Sequence, residues 1–199
     1  EEEEEEGEEE AEDDAKWPST ERPKRIHYVW SASQAEAGAL REEARAARTV
    51  AFDVEWRPDR RSGSDNPAAT LQLAFESGSV FVLQLGSLRP LPADVKELMW
   101  RESCRRVAFG ARLDVAKLAL AGVHVGFVED LQLTCQKKFD HEQVPGLAAV
   151  AQRLLGFVLP KNKRVTCSNW ASAELSAEQV EYAGMDAWVT LRVCWALAA

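Results

Sequence analysis

Four carboxylates in three separated apolar segments constrain the fold of this chain more than any other feature of its sequence. Asp53 and Glu55 lie in TVAFDVEW, Asp114 lies in VAFGARLDVAKLAL, and Asp186 lies in EYAGMDAWVTLRV. An acid buried in apolar surroundings without a partner is costly in free energy. Only a folded core can gather residues this far apart, and we expect divalent cations to compensate their charge.

The first segment predicts a β-strand, because it is rich in β-branched and aromatic residues. Its two-residue period places Val50, Phe52 and Val54 on one face and Asp53 and Glu55 on the other. Carboxylates two positions apart on a strand can share hard cations such as Mg²⁺ or Mn²⁺. A strand that carries surface salt bridges is the alternative that this segment alone leaves open.

The last segment predicts a helix from Ser176 to Leu197. Ser176 and Gln179 form the sequence signature of a capping box at its start. Tyr182 and Asp186 are four residues apart, so they lie one turn from each other on the same face. A phenol in this position can orient a water molecule beside the carboxylate. A tyrosine packed on its own helix next to a solvated aspartate is the alternative.

The middle segment predicts a short buried strand that turns at Gly110 into a helix ending at Gly122. Asp114 lies in the first turn of this helix. An acid there is also favoured by the helix dipole, so the segment alone leaves helix-end stabilisation open beside metal binding.

In this order, FDVEW, LDVAKL and EYAGMDAWVTLRV together resemble the three exonuclease motifs of the DEDD superfamily. The Y-x-x-x-D spacing of Tyr182 and Asp186 resembles its tyrosine-bearing branch, the DEDDy 3'-5' exonucleases. The chain looks like the domains of RNase D, the Werner-helicase exonuclease and the 3'-5' exonuclease domain-containing proteins. The resemblance covers about residues 26–197, with further agreement in the segments 70–75, 146–156 and 163–183.

The resemblance implies an α/β structure with the RNase H-like exonuclease fold, a mixed central β-sheet flanked by α-helices. It implies that Asp53, Glu55, Asp114 and Asp186 bind two divalent cations, Mg²⁺ or Mn²⁺, and that Tyr182 helps to position the attacking water. The implied reaction is hydrolysis of phosphodiester bonds from the 3' end of a nucleic acid, which releases nucleoside 5'-monophosphates. The chain departs from its relatives in the lead-in FGARLD and in the Gly-Met pair before the last acid, and neither change removes a ligand.

Two loops carry candidate substrate contacts. PDRRSGSDNPA follows the first motif and offers Arg60 or Arg61 to a phosphate, although a solvated surface loop explains these residues equally well. PKNKRVTCSNW carries Lys163 and Arg164 ahead of Trp170, whose ring could stack on a base. Packing of this tryptophan onto the core is the structural alternative.

The first 14 residues contain 12 of the 33 acidic residues and no basic residue, which predicts a disordered tail. We therefore divide the chain into an acidic tail and linker at residues 1–25 and one exonuclease domain at residues 26–199. After the first 14 residues, 21 acidic residues face 24 Lys and Arg residues, so the body is slightly basic, in keeping with a polyanionic ligand.

The sequence also predicts the cellular compartment and the redox state. No apolar stretch is long enough for a membrane span, and the acidic start is unlike a signal or transit peptide, so we expect an intracellular protein of the nucleus or cytoplasm, with an organelle left open. Four dispersed cysteines and three histidines do not match a zinc-ligand pattern, and we expect reduced thiols.

Periodicity and turn residues predict the remaining elements and a hairpin turn at residues 76–78. The predicted strands are 26–30, 49–55, 70–76, 79–85, 105–109 and 124–127. The predicted helices are 33–45, 92–101, 112–121, 129–137, 145–155 and 176–197.

Two alternatives to a nucleic-acid exonuclease remain at this stage. One is a non-catalytic module of the same fold that binds nucleic acid or acts as a scaffold, and the other is an enzyme of this fold that acts on a small phosphodiester or nucleotide. DNA and RNA are both open as substrates, because the choice depends on contacts to the 2' position. A helicase or another protein is a candidate partner, and the sequence sets no oligomeric state.

Overall fold

A six-stranded mixed β-sheet with helices on both faces forms the centre of the computed structural model, which describes residues 22–60, 63–140, 143–160 and 162–199. The strands are β1 Arg25–Val29, β2 Thr49–Trp56, β3 Ala68–Phe75, β4 Ser79–Gln84, β5 Arg105–Ala108 and β6 Val128–Asp130. The helices are α1 Ala35–Ala46, α2 Ala93–Trp100, α3 Ala111–Leu120, α4 Leu131–Lys138, α5 Leu147–Leu155, α6 Lys163–Thr166 and α7 Ala177–Ala198.

The sheet has the strand order β1-β4-β3-β2-β5-β6. β3 runs antiparallel to β2 and β4, and the other pairings are parallel. The last residues of β1, β2 and β4 therefore meet the first residues of β3 at one edge of the sheet, which we call the carboxyl edge. The chain leaves β2 and enters β3 at this edge, so the described residues between these strands, 57–60 and 63–67, lie directly beside it, and we call them the 57–67 loop.

Alternation along β2 separates two hydrophobic layers, as the sequence predicts. Val50, Phe52 and Val54 pack into a core that includes residues of α1, α2 and α3. Ala51 faces the second layer, which includes residues of α4, α5 and α7. The odd-numbered positions of β2 that follow, Asp53 and Glu55, lie on this second face.

Helix α7 crosses β2 and β3 on the second face. The predicted capping box is present, because Ser176 Oγ accepts from the Gln179 N–H at 3.2 Å and Gln179 Oε1 accepts from the Ser176 N–H at 2.9 Å. At Gly184 the helix lies so close to β1 that an added Cβ would be 2.8 Å from Ile26 Cγ2. Among the described helices, α7 included, none is both long and apolar enough to cross a membrane.

The strand predicted at residues 124–127 is wrong, and the strand that pairs with β5 is β6. The Gly126 N–H donates to the Met99 carbonyl at 2.8 Å, and Arg106 Nε donates to the Phe127 carbonyl at 3.1 Å. These bonds tie the segment to the end of α2 and to a side chain, so its backbone groups are satisfied outside the sheet.

The basic loop before α7 contains a short helix, α6, that the sequence analysis did not predict. Asn162 Oδ1 accepts from the Val165 N–H at 3.1 Å and so caps the first turn. The other predicted elements agree with the structure, with ends that differ by at most two residues.

The acidic tail predicted at the start of the chain lies outside the described residues, except for the last four residues of the predicted linker. The Lys24 N–H donates to the Gly78 carbonyl at 2.9 Å, and Arg22 pairs with Glu181 on α7. Arg25 already belongs to β1. This end of the predicted linker is therefore attached to the sheet.

Candidate active site

Strand β2 carries two of the four predicted metal ligands to the carboxyl edge. Asp53 lies opposite Gln72 of β3, and Glu55 lies opposite Thr70. The register shifts between Glu55 and Trp56, where strand pairing gives way to the 57–67 loop. Both carboxylates therefore sit on the last regular residues of the strand, beneath α7.

Helix α7 adds a third carboxylate, that of Asp186. Asp53, Glu55 and Asp186 each offer one carboxylate oxygen, and these three oxygens all lie within 4.8 Å of one another. All three side chains are partly accessible to solvent. A set of oxygen ligands at such short separation suits a hard divalent cation.

Asp114 lies on α3 beside this group. The helix starts at Gly110, whose φ of 83° favours glycine, and Asp114 follows in the first turn. Its side chain is 7% exposed, and its Oδ2 atom is buried without a hydrogen-bond partner among the described residues. The Asp114 charge acts on both Asp53 and Glu55. A buried carboxylate oxygen without a hydrogen-bond partner, close enough to other acids to act on their charge, is suited to bind a cation.

Asp130 satisfies the start of α3, a role that the sequence analysis did not assign. Its Oδ1 and Oδ2 atoms accept from the N–H groups of Gly110 and Ala111, each at 3.0 Å, and Oδ1 also accepts from the Gln132 N–H at 2.9 Å. Asp130 therefore binds the first N–H groups at this helix end, and the buried Asp114 Oδ2 atom binds none of them. The detectable signal was an aspartate directly before an amphipathic segment, where an N-cap is expected.

Burial raises the pKa values of all four acids, and repulsion within the cluster raises those of Asp53 and Glu55 further, as expected for carboxylates without a counter-charge. Burial raises the pKa of Asp53 well above its usual value, and the charges of the other three acids raise it further. Burial likewise raises the pKa of Glu55, followed by the charges of Asp186 and Asp114. Burial raises the pKa of Asp114 to about 7, with a contribution from Asp130, and the pKa of Asp186 to about 7. Bound divalent cations would remove this penalty.

Tyr182 lies one turn before Asp186 and forms a hydrogen bond with its carboxylate. Burial raises the pKa of the Tyr182 phenol, and the charge of Asp186 raises it further. Thr166 of α6 also forms a hydrogen bond with the phenol. The hydroxyl group is therefore protonated near neutral pH and acts as a hydrogen-bond donor at the edge of the acidic cluster.

Trp170 does not fit the base-stacking role predicted for it. Its side chain is fully buried, its indole N–H donates to the Thr166 carbonyl at 3.1 Å, and its ring lies 6.2 Å from that of Tyr182. The ring packs against Tyr182 of α7 within the core, in agreement with the packing alternative.

The basic residues predicted to contact substrate are spread over two loops. Arg164 pairs with Glu178 at 2.8 Å on an exposed surface, and Lys163 begins α6. Arg60 is exposed, and its guanidinium donates to the Cys167 carbonyl at 3.4 Å. Arg61 lies outside the described residues. Arg60 thus contacts the end of the short segment 163–167, and Lys163 begins this segment, whose Thr166 forms a hydrogen bond with Tyr182. Arg164 is paired with an acid.

Lys117 is a further charged residue of this region, whose role the sequence does not reveal. Its side chain is 3% exposed, and Nζ lies 2.6 Å from Asp59 Oδ2 and 2.7 Å from Asp65 Oδ1. The ammonium group also lies 5.2 Å from the centre of the Trp56 ring. Lys117 therefore fastens the 57–67 loop to α3, the helix that carries Asp114.

Comparisons with known proteins show the family to which the chain is similar. A family model described as 3'-5' exonuclease matches residues 28–199. Exonuclease 3'-5' domain-containing protein 2 of Drosophila melanogaster is 29% identical over 155 residues, which cover 77% of this chain and 26% of that protein. The chain thus spans about a quarter of the length of this relative.

Two solved structures show the same fold. The EXO domain of Aedes aegypti Nibbler superposes with a TM-score of 0.71 at 26% identity and covers 86% of both chains. Trypanosoma brucei RNase D, solved in complex with RNA, superposes with a TM-score of 0.75 at 20% identity and covers 90% of this chain and 65% of its own. These likenesses confirm the RNase H-like exonuclease fold. Because the family model spans nearly the whole described chain, the protein belongs to the 3'-5' exonuclease family.

Proposed function

We propose that this domain is a DEDDy-type 3'-5' exonuclease that removes nucleoside 5'-monophosphates from the 3' end of a nucleic acid. Asp53, Glu55, Asp114 and Asp186 would hold two divalent cations, Mg²⁺ or Mn²⁺. The observation that carries the proposal is the group of three carboxylate oxygens within 4.8 Å of one another, with Asp114 beside it.

The four ligand side chains are of the type that the proposed cations prefer. All four side chains are carboxylates, which are ligands that Mg²⁺ and Mn²⁺ accept and that softer metals do not select. The buried Oδ2 atom of Asp114 has no partner in the described protein, and so it is available as a ligand. When bound, the cations would lower the pKa of the attacking water and offset charge on the scissile phosphate.

The protein's own groups would position the reacting water. The Tyr182 hydroxyl donates its single proton to Asp186, one turn away, so its oxygen can accept a hydrogen bond from the reacting water and hold that water in place. The water oxygen attacks phosphorus, the bond from phosphorus to the 3' oxygen breaks, and the leaving oxygen takes up a proton. No serine or cysteine nucleophile is needed, since water itself supplies the new oxygen.

Nucleic acid is the substrate that the family relationship favours, and DNA and RNA are both candidate substrates. The RNA in the Trypanosoma brucei RNase D complex supports a polynucleotide ligand for this fold. A helicase or another protein as partner, and a location in the nucleus or cytoplasm, stay predictions from the sequence.

The test uses strands labelled at the 5' end: single-stranded DNA, single-stranded RNA and a duplex with a recessed 3' end. Each is incubated with Mg²⁺, Mn²⁺ or chelator. The isosteric variant Asp53→Asn removes one ligand charge, and Asp94→Asn is the matched control, because Asp94 pairs with Arg45 on the opposite layer. We expect a metal-dependent ladder that shortens from the 3' end for wild type and Asp94→Asn, and none for Asp53→Asn.

Other outcomes separate the alternatives. Strand binding without hydrolysis under any metal condition would favour the non-catalytic module. Hydrolysis of a dinucleotide without any hydrolysis of a longer strand would favour an enzyme for small phosphodiesters. Equal activity of wild type and Asp53→Asn would refute the assignment of the carboxylates.

A further inference from the structure

Three adjoining cavities run along the carboxyl edge of the sheet, and Arg57 lines all of them. The first, of about 500 Å³, lies against the 57–67 loop, and the second, of about 160 Å³, lies between that loop and Ser168 and Asn169. The third, of about 500 Å³, continues across the start of β3 and the end of β4 to Arg89. Arg60 lines the first two cavities. We call this continuous feature the arginine groove.

The groove is positively charged in a protein with a formal net charge of −9. Its described lining contains three arginines and no carboxylate. The nearby acids Asp59 and Asp65 both pair with Lys117 of α3, and neither of them lines the groove. Elsewhere in the described chain, arginines commonly pair with acids, as in Arg22–Glu181, Arg45–Asp94, Arg105–Glu129 and Arg164–Glu178.

The three arginines of the groove have no carboxylate partner among the described residues. Arg60 makes a long bond to a backbone carbonyl, and Arg89 Nε donates to the Leu85 carbonyl at 3.2 Å. Each guanidinium has five N–H groups in a planar fork, so such single bonds leave several donors for a ligand. Unpaired guanidinium groups that converge on one groove are suited to phosphate.

The walls of the groove are fixed by hydrogen bonds. The Gln84 side chain links the Tyr28 hydroxyl to the Ser172 carbonyl, and so it joins β1 and β4 to the segment before α7. Asn66 Nδ2 bonds to Asp59 Oδ1 at 2.7 Å and to the Arg57 carbonyl at 3.0 Å, which sets the path of the loop. A groove held in this way can bind an extended ligand with little ordering cost.

Two arginines of the groove are linked to the acidic cluster through short stretches of chain. Arg57 is two residues beyond Glu55 on the same strand and loop. Arg60 contacts the carbonyl of Cys167, whose neighbour Thr166 forms a hydrogen bond with Tyr182. A strand whose 3' end lies at the cluster therefore meets these arginines as it leaves.

We propose that the arginine groove binds the phosphate backbone of the single strand that leads to the cleaved nucleotide, with Arg60, Arg57 and Arg89 as successive phosphate contacts. The inference rests on the proposed exonuclease function for the position of the 3' end. It assigns the groove to single-stranded nucleic acid, because the groove crosses the narrow edge of the sheet and its donors are spaced over three cavities. These contacts set affinity for the strand and carry no sequence preference.

Binding can be measured without turnover. The chain with Asp53→Asn and Mg²⁺ is titrated with a fluorescent single strand of about 12 nucleotides, within the range that single-strand sites cover. Arg57→Gln, Arg60→Gln and Arg89→Gln are each added to this background. Arg41→Gln is the matched control, because Arg41 Nε donates to the carbonyl four residues earlier at 3.2 Å, as Arg89 Nε does, and Arg41 lies on α1 away from the groove.

We expect each groove variant to weaken strand binding about three- to tenfold at constant salt, the loss of roughly one phosphate contact. The slope of log affinity against log salt should become shallower by about 0.7 for each contact removed. Arg41→Gln should leave both quantities unchanged. Equal affinities for all chains, or an equal loss in Arg41→Gln, would overturn the proposal.

A mononucleotide titration separates a strand site from a site for a free phosphate. We expect the groove variants to lose affinity for the strand and to keep their affinity for a nucleoside 5'-monophosphate within about twofold, well below the loss for one contact. An equal loss for both ligands would refute the strand assignment. Binding is measured without hydrolysis. An inactive wild-type enzyme would therefore contradict the proposed function, and the binding data would still test the groove.

Discussion

Asp114→Asn tests whether the buried Asp114 carboxylate destabilises the folded protein when it is ionised. The substitution keeps the size of the side chain and removes its charge. Asp114 is chosen because its side chain is 7% exposed and its Oδ2 atom has no partner in the described chain. In the absence of metal, the wild-type protein must either keep this group protonated or bury a negative charge among others.

The magnitude follows from the pKa of Asp114, which is about 7 in the folded protein and 3.8 for an ordinary aspartate. The folded state therefore holds this proton more tightly than the unfolded chain, and the free energy of unfolding falls as pH rises from the lower value to the higher. Between about pH 5 and pH 8 this fall amounts to about 3 kcal/mol at 1.36 kcal/mol per pKa unit. The amide of the Asp114→Asn variant has no proton to lose, so the variant lacks this fall.

Urea denaturation in chelator at the two pH values measures the effect. The unfolding free energy of Asp114→Asn, relative to wild type, should rise by about 3 kcal/mol between about pH 5 and pH 8. Any packing cost of the amide is the same at both pH values and cancels in this comparison. Adding Mn²⁺ at the higher pH should stabilise wild type more than the variant, because a ligand of the cation is missing.

The reasoning is refuted if the relative stability of Asp114→Asn is the same at both pH values to within about 0.5 kcal/mol, given the usual uncertainty of extrapolation. It is also refuted if the variant loses stability relative to wild type as pH rises. Either result would mean that folding does not raise the pKa of Asp114.

Three further predictions concern neighbouring parts of the structure. Tyr182→Phe should lower kcat about 10²-fold with little change in KM or melting temperature, because only the water-positioning hydroxyl is lost; single-turnover kinetics on a labelled strand checks this, and an unchanged kcat would exclude the role. Lys117→Met should lower the melting temperature by about 3–6 °C, because it breaks the buried tie between α3 and the 57–67 loop; calorimetry measures it, and no shift would mean that the ion pairs add nothing. Gly184→Ala should destabilise the fold by about 1–3 kcal/mol, because its Cβ would lie 2.8 Å from Ile26 Cγ2. Urea unfolding of Gly184→Ala with and without Ile26→Ala checks the contact, since the second change should recover part of the loss.

The amino-acid sequence by itself determined the features that depend on local spacing. Alternation along TVAFDVEW places Asp53 and Glu55 on one face, and the Ser176 and Gln179 pair sets the start of α7. The order of the three acidic segments indicated the family, which the match over residues 28–199 confirms. These features were predictable because a strand has a period of two residues, a helix has a period of 3.6, and a capping box spans four residues.

The tertiary structure alone decided the features that join distant segments. Trp170 became a core residue because Tyr182 of α7 and the carbonyl of Thr166 enclose it. The charge of Lys117 faces Asp59, 58 residues earlier in the sequence, and local patterns contain no information about such a pair. The arginine groove likewise depends on the sheet, in which β2 and β4 flank β3. This order brings Arg57, which follows β2, and Arg89, which follows β4, to one edge. Contacts of this kind arise from packing and loop closure between remote residues, and a single sequence shows only that their side chains are present.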